Sequence, residues 1–114
     1  MRIPPNEQID ALLSGRIWSI VQKYCSGSWS SLAGEWTVSI EDIRNEAQRR
    51  GLDCFVSPKP ISEGYWLCPQ ENGYEVFYYE RGVRMHGENF EMLESAFDAW
   101  LGHELKSLLL PRNT

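Results

Sequence analysis

The side chains best suited to acid–base or nucleophilic work are few: His86 and His103, and the cysteines Cys25, Cys54 and Cys68. No H-x-x-x-H, H-E-x-x-H or C-x-x-C spacing joins them, so neither a metal site nor a disulfide framework is expected, and free buried thiols are the simplest reading. Cys68 and His86 would project from one face of a sheet, an arrangement that invites a Cys–His dyad. An intervening strand would hold them roughly 9–10 Å apart, which is two strand spacings and too far for a hydrogen bond. Glu104 falls inside the apolar arc of the last helix, where burial would raise its pKa toward that of a general acid. Pairing with an arginine, or snorkelling at the helix edge, is the more ordinary fate of such a side chain. The glycines form neither G-x-x-x-x-G-K-[ST] nor G-x-G-x-x-G, so no phosphate loop is present. No catalytic, cofactor-binding or metal-binding residue is assigned, no cofactor is expected, and the chain is expected not to be an enzyme.

The elements that would carry these residues fit one α+β domain over residues 1–114. The 114-residue chain is 42% hydrophobic and 24% charged, enough apolar material for a core without disulfide staples. Asn6 to Tyr24 places Ile9, Leu12, Leu13, Ile17, Ile20, Val21 and Tyr24 on one arc, predicting an amphipathic helix capped by Asn6. Trp18 lies off that arc, to be packed under a neighbouring loop or offered to a partner, the loop being favoured. Residues 25–38 are rich in Ser and Gly yet hold Trp29 and Trp36, which predicts an ordered loop rather than a linker. Ser39-Ile40-Glu41-Asp42 opens a second helix and Gly51 closes it. The period then changes to two. Leu52–Ser57, Gly64–Pro69, Tyr74–Arg81 and Val83–Glu88 read as strands, with Asn72-Gly73 as a hairpin turn. Asn89 would cap a last helix carrying Phe90, Leu93, Phe97, Trp100, Leu101, Leu105 and Leu108 on one face, until Pro111 stops it. The expectation is α-α-β-β-β-β-α, an antiparallel three- to four-stranded sheet packed on a C-terminal helix with two N-terminal helices.

The alternation gives this sheet two faces. Leu67, Val76, Tyr78 and Met85, with Tyr65 and Val83, should pack on the C-terminal helix. Trp66, Cys68, Glu75, Phe77, Tyr79, Arg84 and His86 share the other face, which either a helix covers or a partner contacts; Trp, Tyr and Arg are the residue types that dominate binding hot spots. The formal charge of -5 has the wrong sign for phosphate backbones or anionic lipid, so neither a nucleic acid nor a membrane is an expected partner. Its distribution is uneven: between Glu63 and Glu104 nine acidic residues stand against Arg81 and Arg84. The dipole of the last helix accounts for Glu91 and Glu94, but Glu94 and Asp98 repel at i, i+4, and Glu71, Glu75, Glu80 and Glu88 extend the acidity along the hairpins. The candidate partner-binding residues are therefore Trp66, Glu71, Glu75, Phe77, Tyr79, Glu80, Arg84, His86, Glu94 and Asp98, suited to a basic protein. The opening Met1-Arg2-Ile3-Pro4-Pro5-Asn6 lacks the apolar core of a secretion signal, and no stretch approaches the roughly 18 apolar residues of a membrane span, so a cytoplasmic location is expected.

The run Gly64-Tyr65-Trp66-Leu67, then Gly73-Tyr74-Glu75-Val76-Phe77-Tyr78-Tyr79-Glu80-Arg81-Gly82, Phe90 and Ser95-Ala96-Phe97-Asp98-Ala99-Trp100-Leu101 resembles a pattern recurring among bacterial immunity proteins. These are antitoxin partners of polymorphic or contact-dependent growth-inhibition toxins. The resemblance covers roughly residues 64–105 and carries no catalytic signature. It implies a non-enzymatic cytoplasmic inhibitor of one cognate toxin domain, often a nuclease, and assigns no particular binding residue, because such families diverge in those positions. The alternatives are a small regulatory or adaptor module, or a small-ligand-binding domain with its pocket between the two-tryptophan loop and the sheet.

Overall fold

Two prolines open the first helix, where the missing N–H of Pro5 costs nothing and its fixed φ is already helical. In the computed structural model, which describes residues 3–109, α1 spans Pro5–Ser14 and its N-cap is Pro4, not Asn6. The single long helix expected to Tyr24 is two helices, because Gly15 adopts the left-handed conformation at φ 75°. Its N–H and that of Arg16 close back on Leu12 and Ala11 carbonyls (3.4 and 2.8 Å), the Schellman arrangement that ends a helix. α2 then runs Ile17–Tyr24, and the apolar arc survives the break: Leu12, Leu13, Ile20 and Val21 are all buried.

The expected loop between residues 25 and 38 contains a further short helix, α3 (Trp29–Glu35), which buries Leu32. Trp18 stacks on Trp29 of this helix (centroids 5.4 Å apart, planes 24° apart) and stays 45% exposed, so it is partly covered by a helix rather than tucked beneath a loop. α4 (Ile40–Arg50) begins as the sequence indicates. Asp42 N–H donates to Ser39 Oγ (3.1 Å), and Ser39 N–H donates to Asp42 Oδ2 (3.0 Å), a reciprocal capping box that also lowers the Asp42 pKa.

Leu52–Ser57 is not a strand. Leu52–Phe55 forms a 3-10 turn, with Cys54 N–H bonded to the Gly51 carbonyl and Cys54 Sγ to the Arg50 carbonyl, so local bonds replace a ladder. One trace of the expected pairing remains, a 2.9 Å bond from Ser57 N–H to the Leu67 carbonyl. The sheet therefore has three strands, β1 (Gly64–Gln70), β2 (Gly73–Glu80) and β3 (Val83–Phe90), in an antiparallel meander. Asn89 and Phe90 belong to β3, where Phe90 pairs with Tyr74, and the last helix, α5, starts later and spans Leu93–Leu109. The expected stop at Pro111 lies outside the described residues.

The fold is α+β with a three-stranded antiparallel sheet and a C-terminal helix, preceded by four helices rather than two. The chain divides into two compact units, one running up to Arg49 and including Leu105 onward, the other Arg50–Glu104. In the first, Ile3, Leu12, Val21, Leu32, Ile43 and Ala47 are among the buried apolar residues; in the second, Leu67, Val76, Phe77, Phe97 and Leu101 are buried.

Candidate functional site

The β1–β2 register decides which residues share a face. Gly73 does not sit in the centre of the turn; it pairs with Gln70, and the turn residues are Glu71 and Asn72. The reason is steric: a Cβ at position 73, where φ is 151°, would collide with the Phe90 carbonyl oxygen, so this glycine serves the approach of β3. The observed pairing, Leu67 with Val76 and Trp66 with Phe77, is displaced by two residues from the register that an Asn72-Gly73 turn would set. A displacement of two preserves side-chain parity, so β1 and β2 contribute the expected residues to each face, whereas on β3 His86 falls in a bulge and Val83, expected against the C-terminal helix, is 55% exposed.

The face carrying Tyr65, Leu67, Val76 and Tyr78 does meet α5. His103 stacks on Tyr65 (4.5 Å, 4°), Trp100 Nε1 donates to the Tyr65 carbonyl (3.2 Å), and His103 Nε2 shares a 2.7 Å hydrogen bond with Glu88 Oε1. Phe97 adds contacts with Phe55 and Trp100. Both histidines are thus placed: His103 fastens α5 to the sheet, and His86 lies exposed in a bulge.

That bulge sits where Phe77 opposes both His86 and Gly87, between the pairs Val76–Glu88 and Tyr78–Met85. His86 takes the left-handed conformation (φ 55°), which a bulge can require and which costs a non-glycine residue energy. Glu75 spans the irregularity. Its Oε1 accepts from Arg84 Nη1 at 2.7 Å, and its carboxylate lies against Gly87 closely enough that a Cβ there would come within 2.6 Å of Oε2.

The second face therefore has a buried middle and an accessible margin. Phe77, expected at a partner surface, is fully buried, and Cys68 beside it is 1% exposed. The Arg84 guanidinium lies 4.3 Å from the Phe77 ring centroid, a cation–π contact. Burial pushes the Cys68 thiol pKa up, which keeps it protonated and is the reverse of an activated nucleophile. Trp66 and Tyr79 are half-buried, Trp66 being fixed by a 2.8 Å bond from Nε1 to the Ser62 carbonyl.

The candidate residues do not form one patch. Trp66, Glu75, Phe77, Tyr79 and Arg84 lie on the face opposite α5. Glu80 has the other parity and pairs with Val83 near the Arg81-Gly82 turn, Glu71 lies in the turn at the far end of β2, and Glu94 and Asp98 are on α5. No family model, no curated protein and no solved structure matches the chain. Among the described residues no group of three or more His, Cys, Asp or Glu side chains is placed to hold a metal ion, and no helix is long and apolar enough to cross a membrane.

Sequence reasoning missed a cleft of about 300 Å³ where the Glu71-Asn72 turn meets the end of β3, lined by Gln70, Asn72, Asn89, Phe90 and Glu91. Assigning Asn89 and Phe90 to a helix hid it. The signal that could have revealed it is the length of β2: extending β3 to match eight residues carries it to Phe90. A wider groove of about 470 Å³ in the first unit, lined by Pro5, Ile9, Val38, Asp42, Asn45, Glu46 and Arg49, has its charges in use, with Asp42 capping α4 and Glu46 paired to Arg49 at 2.6 Å. Glu104 carries a strongly shifted carboxyl: burial raises it from 4.5 to about 7, opposed by the nearby His103.

Proposed function

We propose that this chain is a cytoplasmic immunity protein that binds and neutralises a cognate, basic toxin domain, a nuclease being one such class, without itself being an enzyme. The observation that carries the reading is the uncompensated acidity of the sheet unit. Residues 50–104 hold ten Asp and Glu against four Lys and Arg. Glu71, Glu91 and Glu94 are exposed and make no hydrogen bond or ion pair among the described residues. Carboxylates left in this state raise the association rate of a positively charged protein and do little for the fold. Part-exposed Trp66 and Tyr79 supply aromatic anchors of the kind that dominate interfaces, and the resemblance of residues 64–105 to immunity proteins points the same way.

The experiment looks for a toxin domain in the neighbouring reading frame and pairs this chain with it. Co-expression should restore growth. The combined variant Glu71→Lys, Glu80→Lys and Glu94→Lys should slow association about tenfold or more at low salt, with the loss shrinking as ionic strength rises and dissociation little changed. Binding at an unchanged rate would remove the electrostatic argument, and failure to bind that domain at all would remove the function.

A further inference from the structure

The cleft at the Glu71-Asn72 end of the sheet is lined by acceptor-bearing side chains beside an aromatic residue. Gln70, Asn72 and Asn89 bring carboxamides, each an acceptor oxygen beside an NH2 donor, Glu91 a carboxylate, and Phe90 an aromatic ring. The side chains of Asn72, Asn89 and Glu91 have no hydrogen-bond partner among the described residues, and Gln70 Nε2 makes only a long 3.5 Å bond to the Tyr74 carbonyl. Positive charge lies elsewhere: Arg84 is held by Glu75, and Arg81 is in the turn at the opposite end of β2. Glu71 in the adjoining turn adds negative charge beside the cleft, and Glu94 follows Glu91 by three residues in the first turn of α5. The first N–H groups of α5 would favour an anion, but Glu91 and Glu94 already occupy that field.

A guanidinium matches this lining better than an ammonium does. It is planar, offers five N–H donors in a fork, accepts nothing, and stacks on aromatic rings. Amide oxygens and a carboxylate supply acceptors in several directions, and the phenyl ring supplies the stacking surface. The size, near the lower end of ligand pockets, suits one side chain rather than a whole small molecule. We propose that this cleft receives an arginine side chain of the basic partner. The proposal rests on the reading of the chain as an inhibitor of a basic protein, and it names the contact that fixes the partner's register.

The test is an NMR titration of the intact chain with N-acetyl-L-arginine amide, using the citrulline analogue, which is isosteric and neutral, and inorganic phosphate as comparisons. Saturating shifts are expected at the side-chain amides of Gln70, Asn72 and Asn89 with Kd on the order of 1 mM, as a ligand of this size allows. Glu91→Gln should weaken binding at least fivefold while the other resonances stay in place, showing that the variant is folded. No saturable shift, equal shifts with the citrulline analogue, or preferential binding of phosphate would each overturn the proposal. Shifts without any binding of the toxin domain would support the cleft and sink the function. Tight toxin binding with a cleft that ignores arginine would do the opposite.

Discussion

The two units differ in how their charge is balanced. The unit up to Arg49, with Leu105 onward, holds seven Lys and Arg and six Asp and Glu, while the sheet unit holds four and ten. In the first, several polar groups are satisfied inside the unit, although the side chains of Arg16 and Glu41 are exposed with no partner among the described residues. Gln8 is fully buried and accepts from the N–H groups of Thr37 (2.8 Å) and Val38 (3.3 Å), while its amide donates to the Ile3 carbonyl and Thr37 Oγ1, both at 2.9 Å. Glu7 accepts from Tyr24 and pairs with Lys23, and both contacts lower its pKa, the tyrosine first. In the sheet unit, exposed carboxylates outnumber the cations that could pair with them. A group satisfied inside the chain holds the fold, whereas a group left unsatisfied at the surface is available for something else.

Removing Gln8 should produce the largest effect. Gln8→Ala strips four hydrogen bonds from one buried side chain, leaving the Ile3 carbonyl and two N–H groups unpaired around a small void. At about 1–3 kcal/mol for each unsatisfied group, relieved in part by water entry, the loss should be about 4 kcal/mol. Urea unfolding measures it, and a loss under about 1 kcal/mol would show that this unit does not depend on its buried amide.

Glu104 is a carboxyl of the sheet unit that runs against the pattern, being half-buried rather than displayed. Its pKa is about 7 in the folded chain and 4.5 when exposed. Below 4.5 both states hold the proton and ionisation costs nothing. Between 4.5 and 7 the unfolded chain releases a proton that the folded chain keeps, so stability falls as pH rises through this window and levels off above it. The full loss is at most roughly 3 kcal/mol. Glu104→Gln should flatten that slope in denaturant midpoints measured from pH 4 to pH 8, and an unchanged slope would place the titration elsewhere.

Periodicity made the faces of the sheet, the capping box at Ser39 and the acidic asymmetry legible, because each depends on neighbours in sequence. What it missed turned on backbone geometry. Gly15 ends a helix inside an unbroken apolar arc, and an arc cannot reveal a left-handed residue that preserves its phase. Gly73 resembles a turn glycine, but β3, a partner seventeen residues away, sets its role. Leu52–Phe55 has strand-like composition and closes on itself instead. Phe77 shows the limit for the site: alternation places a residue on a face without saying whether that face is covered, and Phe77 is buried where Tyr79, two residues on, is not.

The smallest expected effect is the sharpest test of the contrast. Glu71, Glu91 and Glu94 have no internal partner among the described residues, so replacing all three with glutamine removes no ion pair. Glu91 and Glu94 gain a little from the α5 dipole, a few tenths of a kcal/mol each at an exposed site, while the mutual repulsion of the acidic unit opposes them. The net change in unfolding free energy should be within about 0.5 kcal/mol of zero, moving toward greater stability at low salt if repulsion outweighs the attraction to the dipole. The same variant should lose association rate with a basic partner. A loss above about 1.5 kcal/mol would mean that these carboxylates hold the sheet unit together, and the contrast in how the two units balance their charge would fail.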